Sequence, residues 1–125
     1  MANIRFGPAG NSESFSRMGY RNNLQIPGYL EQMGLNAYEY QCGRGVKNSQ
    51  ENAQKFGRLA AEKDIQLSLH APYYISMSSL EEEKRQRSVE YVLQSAQAVA
   101  ALKRAGYADV RNIGGRGSWR GEVAK

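Results

Sequence analysis

Apolar residues follow two alternating patterns along the chain, one typical of strands and the other typical of helices. Alternation with a period of two marks residues 37–42, and short strand-like runs lie at residues 3–6, 65–70 and 110–113. Apolar positions at helical spacing lie between these runs. The predicted order is β-α-β-α-β-α-β, which favours a parallel sheet with right-handed crossovers in a single α/β domain, residues 1–125.

The first two helices are predicted from their boundary residues. Pro27 suits the first turn of a helix, and Gly34 suits the position just after its end. Asn48 followed by Glu51 resembles a capping pair for the second helix. Between the first predicted strand and Pro27, the chain is polar and is predicted to be a long loop.

The third predicted helix has the clearest amphipathic pattern of the chain. Ser79 followed by Glu82 is a capping box, and the helix is expected to end before Gly106. A short helical turn is predicted around Trp119. One stripe of the third helix is apolar throughout and is the natural face for a core contact, and it consists of Val89, Val92, Leu93, Ala96, Val99 and Ala100.

Two packings fit four βα units. In the first, the strands follow sequence order with all helices on one side, which gives half of a TIM barrel. In the second, the strand order reverses once and helices cover both faces, as in a flavodoxin-like or rhodanese-like sheet. Glu39 and Gln41 share one face of the strand at residues 37–42, and this polar face suits a barrel lumen. We therefore expect a half-barrel whose inner face is covered by self-association in a homodimer.

Charge and cysteine content narrow the expected partners. The net charge of the chain is +5. Residues 103–125 carry six basic and two acidic side chains and so account for most of it. The excess therefore lies at one end of the chain and is typical of a solvated basic segment, so we expect no nucleic-acid partner. Cys42 is the single cysteine, which excludes an internal disulfide and fits a reducing compartment. We expect a cytoplasmic protein without a membrane partner.

The candidate chemistry centres on His70, the single histidine. It ends a predicted strand, where βα proteins place their active sites. Glu39 could add a weak second metal ligand. Catalytic zinc is typically held by three protein ligands, so a site built on these two residues is incomplete. We therefore expect no cofactor and no catalytic residue.

Three segments resemble a known family. They are residues 5–10 (Arg-Phe-Gly-Pro-Ala-Gly), residues 37–46 and residues 67–75, which include Leu-His-Ala-Pro-Tyr-Tyr. Across residues 2–100 the chain resembles the N-terminal part of endonuclease IV, a family of abasic-site nucleases among the xylose-isomerase-like TIM barrels. The resemblance implies that His70 is a ligand position of a trinuclear zinc cluster. It also implies that Tyr73 is a position that enters the DNA minor groove.

Residues 101–119 are similar to a different family. Their helix, Gly-Tyr, Val-Arg-Asn strand, Gly-Gly and tryptophan resemble the C-terminal helix and strand of rhodanese-like domains. The catalytic cysteine loop of that family has no counterpart here. Two resemblances that meet near residue 100 indicate a chimera with a TIM-barrel-derived part and a rhodanese-like part, residues 101–125.

The expected function follows from the incomplete site. We expect an engineered or fragment-derived α/β scaffold that is not an enzyme. The alternative is residual zinc-dependent abasic-site endonuclease or DNA-binding activity centred on His70. In that alternative, Tyr73 would contact DNA bases and Arg44, between two glycines, would contact a phosphate.

Overall fold

The computed structural model describes residues 4–47, 49–104 and 111–112, with side chains up to residue 102. From residue 37 onward strands and helices alternate, as the sequence predicts. The elements in chain order are α1 (Glu13–Arg17), a 3-10 turn (Asn23–Gln25), α2 (Ile26–Gln32), β1 (Ala37–Gln41), α3 (Gln50–Glu62), β2 (Gln66–His70), α4 (Glu82–Arg104) and β3 (Arg111–Asn112).

The strands form one parallel sheet in sequence order, β1-β2-β3. β1 and β2 pair along their whole length, and Gln41 lies opposite His70 at the C-terminal end. β3 pairs with β2 through Arg111 and Asn112. The parallel α/β arrangement is confirmed. The predicted strand at residues 110–113 is described only for these two residues, and four βα units are not confirmed.

The predicted first strand, residues 3–6, is wrong in position. Residues 6–10 are the ones that run beside β1. The Glu39 N–H donates to the Pro8 carbonyl at 3.1 Å, and the Gly10 N–H donates to the Glu39 carbonyl at 3.0 Å. A single isolated parallel bridge forms there. Pro8 has no N–H to donate, so the pairing cannot continue as a regular ladder.

The two faces of the sheet differ in composition and in cover. Tyr38, Leu67 and Leu69 are buried under the helices, as the alternating pattern predicts. Ser68 and His70 alternate with them on the opposite face and are only half-buried. Within the described residues, helices cover one face and the strands follow sequence order, which is the packing of a barrel segment. The main core cluster consists of Phe15, Ile26, Tyr29, Leu30, Tyr38, Ala53, Phe56, Ala60, Ile65, Leu67, Ala101 and Leu102.

The boundaries of α2 and α3 follow their local signals. Pro27 lies in the first turn of α2, and Gly34 follows its end with a φ of +70°. That conformation favours glycine, so the predicted helix stop is confirmed. Ser49 caps α3 by accepting the Asn52 N–H at 3.3 Å. Asn48, the predicted cap, lies outside the described residues.

The predicted loop before α2 contains two short helical segments that the sequence analysis missed, α1 and the 3-10 turn. Phe15 of α1 is buried and stacks on Tyr20 with ring centroids 5.3 Å apart. Asn22 caps the 3-10 turn, and Gln25 completes a capping box with it. The segment is therefore fixed by aromatic packing and side-chain caps, although it is polar overall.

α4 is the element whose orientation departs most from expectation. The predicted apolar stripe faces outward: Val89, Val92 and Leu93 are 44%, 41% and 56% exposed. Ser88 and Ser95 are buried instead, at 2% and 0% exposure. Each buried hydroxyl donates to the backbone carbonyl four residues earlier at 2.8 Å, which satisfies it inside the helix. The prediction that the stripe contacts the core is wrong, except at the half-buried Val99.

The start of α4 also differs in detail from the predicted capping box. The Ser79 hydroxyl accepts the Glu81 N–H at 3.2 Å. Glu82 contacts Arg85 and Gln86 rather than closing the box. Gly106 and Trp119 lie outside the described residues. None of the described helices combines the length and the apolar character needed to cross a bilayer.

Candidate functional site

His70 lies at the C-terminal edge of the sheet, as its position in the sequence predicts. Its Nδ1 is 2.9 Å from the Ala71 carbonyl oxygen. A carbonyl oxygen only accepts hydrogen bonds, so Nδ1 is the donor in this contact and Nε2 takes no part in it. Metal-binding histidines typically use such a second hydrogen bond to fix their tautomer. The contact therefore leaves Nε2 as the ring nitrogen that could bind a metal.

A polar network covers the open face of the sheet beside His70. The Gln41 amide donates to Glu39 Oε1 at 2.7 Å, and the Ser68 hydroxyl donates to Glu39 Oε2 at 3.4 Å. Glu39 lies opposite Ser68, one pair before Gln41 and His70 along the same face. The structure thus brings the two predicted metal ligands to one surface, with the carboxylate engaged by its neighbours.

Two loops meet at the same edge and carry the predicted nucleic-acid contacts. Tyr73 is 78% exposed, and its ring centroid is 5.3 Å from that of Tyr74. A Cβ on Gly43 would lie 3.9 Å from the Tyr73 ring, and one on Gly45 would lie 3.3 Å from the Tyr74 hydroxyl. Arg44, between these glycines, is exposed. The two loops are therefore neighbours at this edge, and an added side chain would be tight at Gly45 but not at Gly43.

The loop after residues 6–10 is held at the sheet by tyrosine hydroxyls that the sequence analysis missed. The Tyr38 hydroxyl donates to Asn11 Oδ1 at 3.0 Å. The Tyr29 hydroxyl lies 2.8 Å from the Ser12 hydroxyl and 2.6 Å from that of Ser14. Hydrogen bonds with Ser12 and, to a smaller extent, with Ser14 lower the pKa of Tyr29. Burial raises the pKa of Tyr38. The signal in the sequence that could have revealed these contacts was the combination of tyrosines in predicted elements with a polar Gly-Asn-Ser loop.

Cys42 follows β1 and is buried at 2% exposure. Burial raises the pKa of its thiol to about 11. The reactive form of cysteine is the thiolate, so at neutral pH this side chain is a small apolar group of the core. It contributes packing to the second core cluster, with Leu69 and Ala71.

Among the described residues, the predicted metal ligands on this face are one imidazole, His70, and one carboxylate, Glu39. Within the parts of the chain that the structure describes, no group of three or more His, Cys, Asp or Glu side chains could hold a metal ion. A groove of about 380 Å³ runs between residues 5–9 and the first two strands, and Glu39 and Ser68 line it. The open face can therefore present polar groups to a neighbour, and His70 could supply one metal ligand.

An open parallel sheet in sequence order, with helices on one face and polar groups on the other, defines a segment of an α/β barrel. The chain belongs to the xylose isomerase-like TIM barrel family, whose model matches residues 28–121. It is similar to the uncharacterized protein MJ0133 of Methanocaldococcus jannaschii, with 31% identity over 70 residues, or 56% of this chain. Those residues correspond to 25% of MJ0133, so the chain spans about a quarter of this relative.

The family match bears on the two resemblances seen in the sequence. The TIM-barrel part is confirmed at the level of the family. The matched range continues through residue 100, where a chimera would have its junction, so it lends no support to a second family there. The rhodanese-like origin of residues 101–119 stays a prediction, and most of that segment lies outside the described residues.

Proposed function

We propose that this chain is a non-catalytic segment of an α/β barrel that carries one ligand position of a metal site, His70. The observation that supports this is the state of the imidazole: Nδ1 donates to the Ala71 carbonyl, which leaves Nε2 for a metal. Glu39 offers a carboxylate on the same face, but Gln41 and Ser68 both donate to it. Two ligands fall short of the three that catalytic zinc typically requires.

Zinc titration tests the ligand position. Calorimetry on the chelator-treated protein should show weak zinc binding that is lost in His70→Ala. Gln41→Ala is the matched control, because Gln41 lies opposite His70 on the same face and its amide is a poor zinc ligand. Binding that is unchanged in His70→Ala would place zinc elsewhere and remove the proposed ligand.

An activity assay tests the absence of catalysis. A duplex with a single abasic site should stay intact with the purified protein and zinc. Incision that disappears in His70→Ala would contradict the non-catalytic assignment, and would favour a reduced zinc-dependent abasic-site endonuclease.

A second candidate function is DNA binding through the neighbouring tyrosine and arginine loops. The exposed Tyr73 ring, near Gly43 and the exposed Arg44, favours it, because aromatic faces stack on unpaired bases and arginine pairs with phosphate. Fluorescence anisotropy with an abasic duplex at two salt concentrations would test it. Salt-sensitive binding weakened by Tyr73→Ala, but not by Leu80→Ala at another exposed position, would support this function.

A further inference from the structure

A groove of about 280 Å³ lies between the 3-10 turn and the first turns of α3. It shares no lining residue with the groove at the open face of the sheet, so the two grooves are separate. The proposed function does not use it. The described residues that line it are Arg21, Asn22, Asn23, Leu24, Asn52 and Phe56.

This groove has an apolar base and a polar rim. Phe56 is buried at 1% exposure, and Leu24 is half-buried against the same core cluster. Arg21 and the three asparagines are exposed. Ligand sites typically combine an apolar lining with a few polar groups that fix the orientation of the ligand. The groove therefore has the composition expected of a small-molecule site.

Hydrogen bonds within the described part of the chain engage the oxygen atoms of two rim asparagines. Asn22 Oδ1 accepts the Leu24 N–H at 2.9 Å, as the cap of the 3-10 turn. Asn23 Oδ1 accepts a hydrogen bond from the Asn11 amide at 3.4 Å. The NH2 group of each side chain remains as a donor of two hydrogen bonds. This part of the rim therefore offers donors to a ligand.

The charge of the rim has the same preference. Among the described lining residues Arg21 alone is charged, and it belongs to none of the ion pairs formed by described residues. Its backbone is fixed, because its N–H donates to Gln25 Oε1 at 2.8 Å. Glu51 precedes Asn52 but does not line the groove, and its carboxylate is 2.7 Å from Lys55 Nζ. An uncompensated cation beside neutral donors favours an anion.

We propose that this groove binds the phosphate group of a small phosphomonoester. Arg21 binds two phosphate oxygens in the bidentate geometry typical of a guanidinium group, and the asparagine NH2 groups donate to the third. Leu24 and Phe56 contact the organic part of the ligand. A phosphomonoester has three acceptor oxygens and a charge of about −1.5 to −2, so it suits these donors better than a carboxylate does. This assignment does not depend on the proposed metal ligand.

The size of the groove favours a small ligand over a nucleic-acid strand. Its volume of about 280 Å³ lies just below the roughly 300–1,000 Å³ of typical ligand pockets. The phosphodiester of a nucleic acid carries a single charge, and the strand continues on both sides of it. A terminal phosphate therefore matches the groove better than a backbone phosphate.

NMR titration of the isotope-labelled protein with inorganic phosphate tests the site. Amide signals of residues 21–24 and of Asn52 should shift and reach saturation. Arg21→Gln should raise the dissociation constant at least about tenfold, because it removes the charged donor. Arg58→Gln is the matched control, because it removes the same charge from an exposed position of α3 that does not line the groove. It should change the dissociation constant by less than about twofold.

Asn52→Asp tests the groove without removing a cation. The substitution keeps the shape of the side chain but places a carboxylate in the groove, so phosphate binding should be lost. Asn52 lies in the first turn of α3, after the Ser49 cap, where an acidic side chain suits the helix dipole. Circular dichroism should therefore show unchanged helix content in this variant.

Three outcomes of these titrations overturn the proposal. The first is a wild-type chain without saturable shifts. The second is phosphate binding that is unchanged in Arg21→Gln or in Asn52→Asp. The third is equal weakening by Arg58→Gln, because the attraction would then come from the net charge of the chain.

Two further probes identify the source of the phosphate group. Phenyl phosphate should bind several-fold more tightly than inorganic phosphate, because its ring contacts the apolar base formed by Leu24 and Phe56. Equal affinity for both probes would contradict the role of that base. An abasic duplex should leave these amide signals in place. Shifts caused by the duplex and removed by Arg21→Gln would assign the groove to nucleic acid and overturn the small-molecule proposal.

Discussion

Gly7 shows how a single residue sets the approach of the N-terminal segment to β1. A Cβ at this position would lie 1.5 Å from the Ala37 carbonyl oxygen, well inside any permitted contact. The Phe6 carbonyl next to it accepts N–H groups from both Asn36 and Ala37. Glycine is therefore required for the backbones to come this close, and the segment must move if it is replaced.

We expect Gly7→Ala to lower the free energy of unfolding by about 1–3 kcal/mol, because the clash separates residues 6–10 from β1. Urea denaturation followed by circular dichroism measures the change. Gly28→Ala is the control, since nothing lies within 4 Å of the added Cβ inside α2. It should stabilise the chain by about 0.5–1 kcal/mol. Equal effects of the two substitutions would contradict the close approach.

Arg5 illustrates a contact that sequence patterns do not contain. Its guanidinium donates to the Asp64 carboxylate at 3.0 and 3.2 Å and to the Asp64 carbonyl at 2.5 Å. Asp64 has a φ of +52° at the turn between α3 and β2. The two residues are far apart in sequence, and neither has a local signal of pairing. Only the fold that places residues 6–10 beside β1 brings them together.

At the scale of elements, prediction succeeded where one local signal dominates. β2 falls within the strand-like run at residues 65–70, and the Gly34 stop of α2 is confirmed by its positive φ. α1 was missed because it has only five residues and its one buried side chain, Phe15, packs on Tyr20 and Tyr29. α1 is therefore stabilised by tertiary contacts, and these cannot be seen in the sequence of a short, mostly polar segment.

α4 shows why an apolar stripe does not identify the core face by itself. The inward face carries Ser88 and Ser95, whose hydroxyls bond within the helix and whose small size permits close packing. The outward face carries Val89, Val92 and Leu93. Periodicity finds an apolar face, but it cannot tell whether the neighbour is the core of the chain or a second surface.

The two buried serines of α4 should respond differently to substitution by alanine. Ser88 also accepts the Ser76 N–H at 2.9 Å and thereby ties the loop after Tyr74 to the helix. Ser88→Ala should cost about 1 kcal/mol, because it leaves that N–H without its partner. Within the part of the chain that the structure describes, Ser95 bonds only to the Tyr91 carbonyl, so Ser95→Ala should change stability by less than about 0.5 kcal/mol.

Thermal or urea unfolding of the two variants measures this difference. Hydrogen exchange of the Ser76 amide provides a second readout, and it should accelerate in Ser88→Ala but not in Ser95→Ala. Similar losses in both variants would mean that the serines act through packing alone and not through the loop contact.

At the scale of the whole molecule, the alternation in β2 decides between a half-barrel and a doubly wound sheet. Leu67 is 1% exposed under the helices, and the adjacent Ser68 is half-buried on the other face. The sequence left both packings open, because Glu39 and Gln41 indicate a polar face without showing whether helices cover it. The strand order and one-sided cover of the described residues resolve this in favour of the barrel packing.

Matched substitutions on the two faces test that assignment. Leu67→Gln should destabilise the chain by about 3 kcal/mol or more, because it places an amide without partners in the core. Ser68→Gln, one residue later, should change stability by less than about 1 kcal/mol, because a longer amide extends from an uncovered face into water. Urea unfolding measures both. Comparable large losses would mean that a second layer covers Ser68, as in a doubly wound sheet, and the His70 edge would then be closed to any ligand.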